Sequence, residues 1–144
     1  MVEYAELHCH SAFSLLDGAS LPERLVDRAV ELGLSALALT DHDDLGGVVR
    51  FAFRARERAD FAAIIGAELT IEGPETPHHL TLLARTAEGY ANLSALITHG
   101  RSTPARGAPQ ISFDALAARA AGLLCLSGCP RGELPSALLR GDHL

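Results

Sequence analysis

The stretch Ser35-Ala36-Leu37-Ala38-Leu39-Thr40-Asp41-His42-Asp43 decides how this chain folds. Residues 35–40 form a short apolar run between turn signals, the pattern of a strand buried on both faces of a parallel sheet. Residues 41–43 follow at once with two carboxylates around an imidazole. In α/β sheets and barrels, reactive groups gather where strands end at their carboxyl side. One segment therefore predicts both a fold class and the rim on which its chemistry sits.

The surrounding chain repeats the alternation. Upstream, Val2 to Cys9 reads as a strand. Ser20-Leu21-Pro22-Glu23 has the form of a capping box with an early proline. It opens a helix with apolar Leu25, Val26, Ala29, Val30 and Leu32, which Gly33 is placed to end. Downstream, Val48 to Ala59 reads as a helix with Arg50, Arg54, Arg56, Glu57 and Arg58 on its wet face. Phe61 to Ile71 and His78 to Ala84 read as strands, and Thr86 to Ile97 as a helix. Gly100 to Pro109 reads as a loop. Phe113 to Ala121 is an Ala-rich helix closed by Gly122, Leu123 to Ser127 a fifth strand, and Arg131 to Arg140 a last helix. Strands alternating with helices imply a mainly parallel α/β sheet or barrel. There is no internal repeat and no low-complexity tract.

Composition bounds the function. The 144 residues are 48% hydrophobic and 21% charged, which suits one folded domain over residues 1–144. The net charge of -6 is the wrong sign for holding a phosphate backbone directly, and fits a site that gathers divalent cations. Three cysteines without regular spacing argue against a disulfide framework. No basic stretch followed by an apolar run opens the chain, so no signal peptide is expected. No apolar run is long enough for a membrane span. A reducing, cytoplasmic compartment is the expectation.

The chemistry is concentrated at strand ends. The first strand ends in His8-Cys9-His10; alternate residues of an extended segment face one side, so two such imidazoles can share a metal. The second ends in Asp41-His42-Asp43. The third carries Glu68 among Ile64, Ile65, Ala67 and Leu69, where an unpaired carboxylate would be costly. The fourth opens with His78-His79, of which either can be the ligand, the other then facing solvent. The fifth ends in Ser127-Gly128-Cys129, and Asp17 adds a carboxylate in the loop after the first. Taken singly, most of these have plain structural readings: a His-x-His arises by chance, and a lone Cys129 is more often a small core residue. Cys9 and Cys125 are read as structural. The joint recurrence at successive strand ends favours a metal site. Imidazole with carboxylate suits zinc, manganese or iron.

At these residues the sequence resembles the PHP (polymerase and histidinol phosphatase) domain, in the form found at the N-terminus of bacterial DNA polymerase III alpha subunits. The stretch Glu6-Leu7-His8-Cys9-His10-Ser11-Ala12-Phe13-Ser14-Leu15-Leu16-Asp17-Gly18-Ala19 resembles the first motif of that family, and Leu39-Thr40-Asp41-His42-Asp43 its second. Gly66-Ala67-Glu68-Leu69, His79-Leu80-Thr81-Leu82-Leu83-Ala84, Gly89-Tyr90-Ala91-Asn92-Leu93 and Leu126-Ser127-Gly128-Cys129-Pro130-Arg131-Gly132 follow in order. The wording is nearest the error-prone polymerase branch. The resemblance implies a distorted (β/α)7 barrel, of which about five strands fall in this chain, and up to three metal ions. By motif, His8, His10 and Glu68 would hold one ion; Glu68, His79 and Cys129 a second; Asp17 and His42 a third.

The late Asp-x-His motif of the family is absent, and Asp142-His143 lacks its spacing. No polymerase palm, fingers or thumb is present, so no catalytic carboxylates of a polymerase are assigned and a truncated domain is expected. The resemblance implies three readings. The first is a metal-binding PHP portion of an error-prone polymerase, whose parent synthesises DNA and meets DNA and replication or translesion repair proteins. The second is a stand-alone phosphoesterase of histidinol-phosphatase type. The third is a non-catalytic, metal-stabilised structural module. An open barrel would also leave a sheet edge through which copies can associate.

Overall fold

The computed structural model describes residues 4–73, 76–102 and 110–141. The described residues form, in chain order, β1 (Ala5–Cys9), α1 (Pro22–Glu31), β2 (Ala36–Leu39), α2 (Val48–Arg56), β3 (Ala62–Ile71), β4 (His78–Ala84), α3 (Ala87–Ser102), α4 (Phe113–Ala117), β5 (Leu123–Leu126) and α5 (Glu133–Arg140), so strand and helix alternate except at β3–β4 and α3–α4. The part of the expected loop at 103–109, and Asp142-His143, lie outside the described residues. The chain groups into two compact units, Met1–Ala67 and Glu68–Leu144.

In the first unit, β1 pairs with β2 and β2 with β3, both parallel. Parallel neighbours need crossover connections, which α1 and α2 supply. All four residues of β2 are buried, as its unbroken apolar run predicts. Val26 and Ala29 of α1 meet Leu37 and Leu39 of β2 and Val48, Phe51 and Ala55 of α2 in one core. On the wet side of the two helices, Asp27 accepts from Arg54 Nε at 2.8 Å and from Arg58 at 2.7 Å.

Helix α1 ends as expected but starts differently. Gly33, at φ +74°, lets Gly33 N bond Val30 O and Leu34 N bond Ala29 O, both at 3.0 Å, the paired closure that a left-handed residue permits. The expected capping box does not form: Leu21 occupies the cap with no side-chain bond. Pro22 fixes the first helical position and so leaves Ser20 one residue too early. Glu23 turns instead to Arg50, whose Nε lies 2.7 Å away.

In the second unit one pair runs the other way from the mainly parallel pattern. β4 and β5 are antiparallel, with Thr81 opposite Leu126 and Ala84 opposite Leu123. Leu69, Ile71, Leu82, Leu83, Leu93, Leu96, Ile97 and Ile111 are buried. Ile111 bridges to Ile71, and its amide bonds Thr70 O at 3.0 Å. Ser112 caps α4, its hydroxyl accepting from Ala115 N at 3.2 Å. Among the described residues, no helix is long and apolar enough to cross a membrane.

Candidate metal centre

The first unit builds one cluster from three segments. β1 is irregular between Glu6 and Cys9, where it takes three steps against two on β2. Such a bulge re-aims side chains at the end of a strand. It leaves the His8 and His10 rings 5.0 Å apart and nearly perpendicular. The loop that follows folds back tightly: Ser14 N bonds Ser11 O at 3.0 Å, and Asp17 N bonds Ser14 O at 3.1 Å. This return holds Leu16 at φ +68° and brings Asp17 Oδ2 to 2.5 Å from His10 Nδ1. His42, just past β2, reaches the same oxygen with Nε2 at 3.4 Å. The His10 and His42 rings stand 4.6 Å apart. Ligand atoms of His10, Asp17 and His42 all lie within 4.8 Å of one another. The structure thus groups His10 with Asp17 and His42 inside this unit.

Beneath this cluster lies a carboxylate that the family resemblance assigned to no ion. Asp41 is 1% exposed. It accepts from Ser11 N, Ser11 Oγ and Ser14 Oγ, each at 2.7 Å. The signal was present in the chain as a carboxylate at the end of a wholly apolar strand.

The second unit builds another cluster. Glu68 is 1% exposed on β3, and its Oε1 is hydrogen-bonded to His79 Nδ1. Cys129 Sγ stands 3.6 Å from Glu68 Oε1 and 3.7 Å from His79 Nδ1. The antiparallel pairing explains why His79 belongs here although it opens its strand: reversal of β4 puts its amino end beside the carboxyl end of β5, where Cys129 follows. The loop after β5 then folds onto β4, with His79 N bonding Arg131 O at 3.2 Å. Gly128 makes the fold possible; it sits at φ +89°, and a Cβ there would lie 2.9 Å from His79 O.

Of His78 and His79, it is His79 that this register brings to Glu68 and Cys129. The expectation that the other histidine faces solvent is wrong: His78 is 7% exposed. The thiols differ. Burial pushes Cys9 up to about 11, with Glu6 and Asp41 adding to the effect. Burial also raises Cys129; the Arg131 amide opposes this and the Glu68 carboxylate adds to it. Cys125 is exposed.

Both donor sets fit a divalent cation. A carboxylate, an imidazole and a thiol are the ligands zinc takes, and ligand atoms around a four-coordinate zinc stand about 3.5 Å apart, close to the two sulfur distances seen here. The His10–Asp17–His42 set, all nitrogen and oxygen, equally suits manganese or iron. Of the set His8, His10 and Glu68, the histidines belong to the first unit and Glu68 opens the second.

The fold and these clusters define a mixed α/β protein that carries histidine, carboxylate and thiol groups on its strands and the loops that follow them. Residues 6–143 match the family model described as the PHP domain, and the chain belongs to that family. An error-prone DNA polymerase of Mycobacterium tuberculosis (strain ATCC 25618 / H37Rv) is 48% identical over 149 residues, covering 97% of this chain and 14% of the polymerase. One from Bordetella bronchiseptica (strain ATCC BAA-588 / NCTC 13252 / RB50) is 56% identical over 106 residues, covering 72% of this chain and 10% of the polymerase. The chain therefore spans a small fraction of these relatives. Among solved structures, a protein assigned as a metal-dependent phosphoesterase from Bifidobacterium adolescentis aligns with TM-score 0.57 and 25% identity, over 71% of this chain and 34% of that one. An amidohydrolase from Chromobacterium violaceum, with bound sulfate and no metal, aligns with TM-score 0.57 and 34% identity over 67% and 33%.

Proposed function

We propose that this chain is a PHP domain that binds divalent metal ions and serves as the amino-terminal portion of an error-prone DNA polymerase of the polymerase III alpha type. The observation that carries the metal reading is the buried Glu68 with His79 and Cys129 around it, the thiol within 3.7 Å of both. A carboxylate is costly to bury, and convergence of three unlike donors on one point serves a cation better than it serves packing. Glu68, His79 and Cys129 would hold one ion, and His10, Asp17 and His42 another, with His8 beside them. A bound zinc, manganese or iron ion supplies Lewis acidity toward a phosphoester. The polymerase reading is supported by 48% identity that runs over 97% of this chain. In it, DNA synthesis and contacts with DNA and with replication or translesion repair proteins belong to the remainder of such a polymerase, in the cytoplasm.

Elemental analysis of the purified chain tests the metal reading. Retention of zinc, manganese or iron, reduced in Glu68→Gln, is expected; a chain that neither retains these metals nor takes them up on reconstitution overturns it. The coding frame after Leu144 tests the polymerase reading, which fails if no polymerase palm carboxylates follow.

A second reading, a stand-alone phosphoesterase, is favoured by the Bifidobacterium structure. It expects turnover of small phosphomonoesters with manganese or zinc that is lost in Glu68→Gln, and falls if no such turnover is seen.

A further inference from the structure

The cluster of His10, Asp17 and His42 draws on two loops far apart in the sequence, yet one Asp17 oxygen lies 2.5 Å from His10 Nδ1 and 3.4 Å from His42 Nε2. A metal site needs its ligands fixed to about half an ångström. The loop that carries Asp17 ends at exposed Leu15 and Leu16, so it is not held by packing at its tip. Its anchoring lies underneath.

Ser11 follows His10 directly, and both its amide and its hydroxyl donate to Asp41 at 2.7 Å. Ser14 donates its hydroxyl to Asp41 at 2.7 Å, while the same oxygen accepts from His42 N at 3.1 Å. The Ser14 carbonyl accepts from Asp17 N at 3.1 Å. Each of the three cluster residues is therefore tied within one or two links to a single carboxylate. Asp41 itself is fixed at the end of β2, buried with Thr40. Thr40 N and Oγ1 bond Cys9 O at 2.9 and 3.2 Å, which ties the ends of β1 and β2 together. Charge-assisted bonds of this length in a dry site are among the stronger ones a protein makes.

We infer that Asp41 is a positioning residue for a metal ion held by His10, Asp17 and His42, acting through Ser11 and Ser14. This rests on the metal reading of that cluster. It gives Asp41 a role beyond the stability of the turn, because its bonds set the spacing of ligands from two separate loops.

Cobalt(II) titration of the purified chain separates the possibilities. Cobalt bound by a thiolate gives a charge-transfer band, which reports the Cys129 site, whereas the His10 cluster gives ligand-field bands alone. Asp41→Asn and Ser14→Ala are each expected to weaken cobalt at the His10 cluster roughly 10- to 100-fold, the usual effect of removing a group that orients a ligand. The thiolate band should titrate as in the unaltered chain, and Ser14→Thr, which keeps the hydroxyl, should restore binding. If Asp41→Asn does not fold, Ser14→Ala with its Thr rescue decides the matter alone. Equal weakening at both sites marks a general loss of structure and overturns the proposal. So does unchanged binding in folded Asp41→Asn or Ser14→Ala while His10→Ala loses the ion. If His10→Ala binds cobalt as the unaltered chain does, the metal reading of the cluster is itself wrong.

Discussion

Cys129 Sγ lies 3.7 Å from His79 Nδ1, although 50 positions separate them in the chain. The antiparallel register of β4 and β5 creates this proximity, and Glu68 completes the set. Replacing Glu68 by Gln keeps its shape and removes its charge. The chain should then lose one equivalent of tightly held metal, measured by elemental analysis after dialysis, and Cys129→Ser should do the same. Loss in neither variant would show that the three side chains do not share an ion.

The bend before Cys129 depends on Gly128. Gly128→Ala forces a side chain into φ +89° with its Cβ 2.9 Å from His79 O. A left-handed conformation costs about 1–2 kcal/mol for a residue with a Cβ, and the close contact adds to it. Thermal unfolding should shift down by several degrees. Zinc affinity at the Cys129 site should fall further than the stability loss alone explains, because the loop must move.

The thiols should separate by reactivity, since the thiolate is the nucleophile. Burial raises Cys9 to about 11, so at pH 8 only about one molecule in a thousand carries its thiolate. Alkylation followed by mass spectrometry should modify exposed Cys125 first and Cys9 last. Raising the pH toward 11 should open Cys9 to reaction. Saturating zinc should protect Cys129 and leave Cys125 unchanged. Equal protection of both would place the metal elsewhere.

Asp27 links the two helices of the first unit. Its hydrogen bonds from Arg58 and then Arg54 hold its carboxyl below its ordinary value of 3.8. A depressed folded value means that the contribution is present above 3.8 and is lost as pH falls through the folded value. Asp27→Asn should therefore lower the melting temperature at pH 7, and the difference should close in strong acid. The shift should be modest and shrink in high salt, as surface pairs do. A difference independent of pH would place the effect in packing instead.

The element order was legible because its signals are local. The apolar run of residues 36–39 became a wholly buried strand, and Gly33 closed α1 through its left-handed backbone. Glu68 was legible as a paired buried carboxylate, because no unpaired one would persist in that setting. Pairing directions were not legible. A strand has the same period of side chains whichever way its neighbour runs, so nothing in His78 to Ala84 announced that β4 meets β5 antiparallel. The burial of His78 was hidden for the same reason. The Ser20 capping signature misled because it matches spacing, while Pro22 fixed the start of the helix.

The sequence by itself offered the candidate donors, His8, His10, Asp17, His42, Glu68, His79 and Cys129, and placed them on successive strands or in the loops that follow them. Composition, apolar period and motif order are properties of the chain, and they carry through any arrangement of strands. Only the tertiary structure decided the partnerships. It set Asp17 between His10 and His42, brought Cys129 to His79, and revealed Asp41 beneath the first cluster. Those are distances between segments tens of residues apart, and they are fixed by sheet register, by the bulge in β1 and by buried hydrogen bonds that exist once the chain has folded.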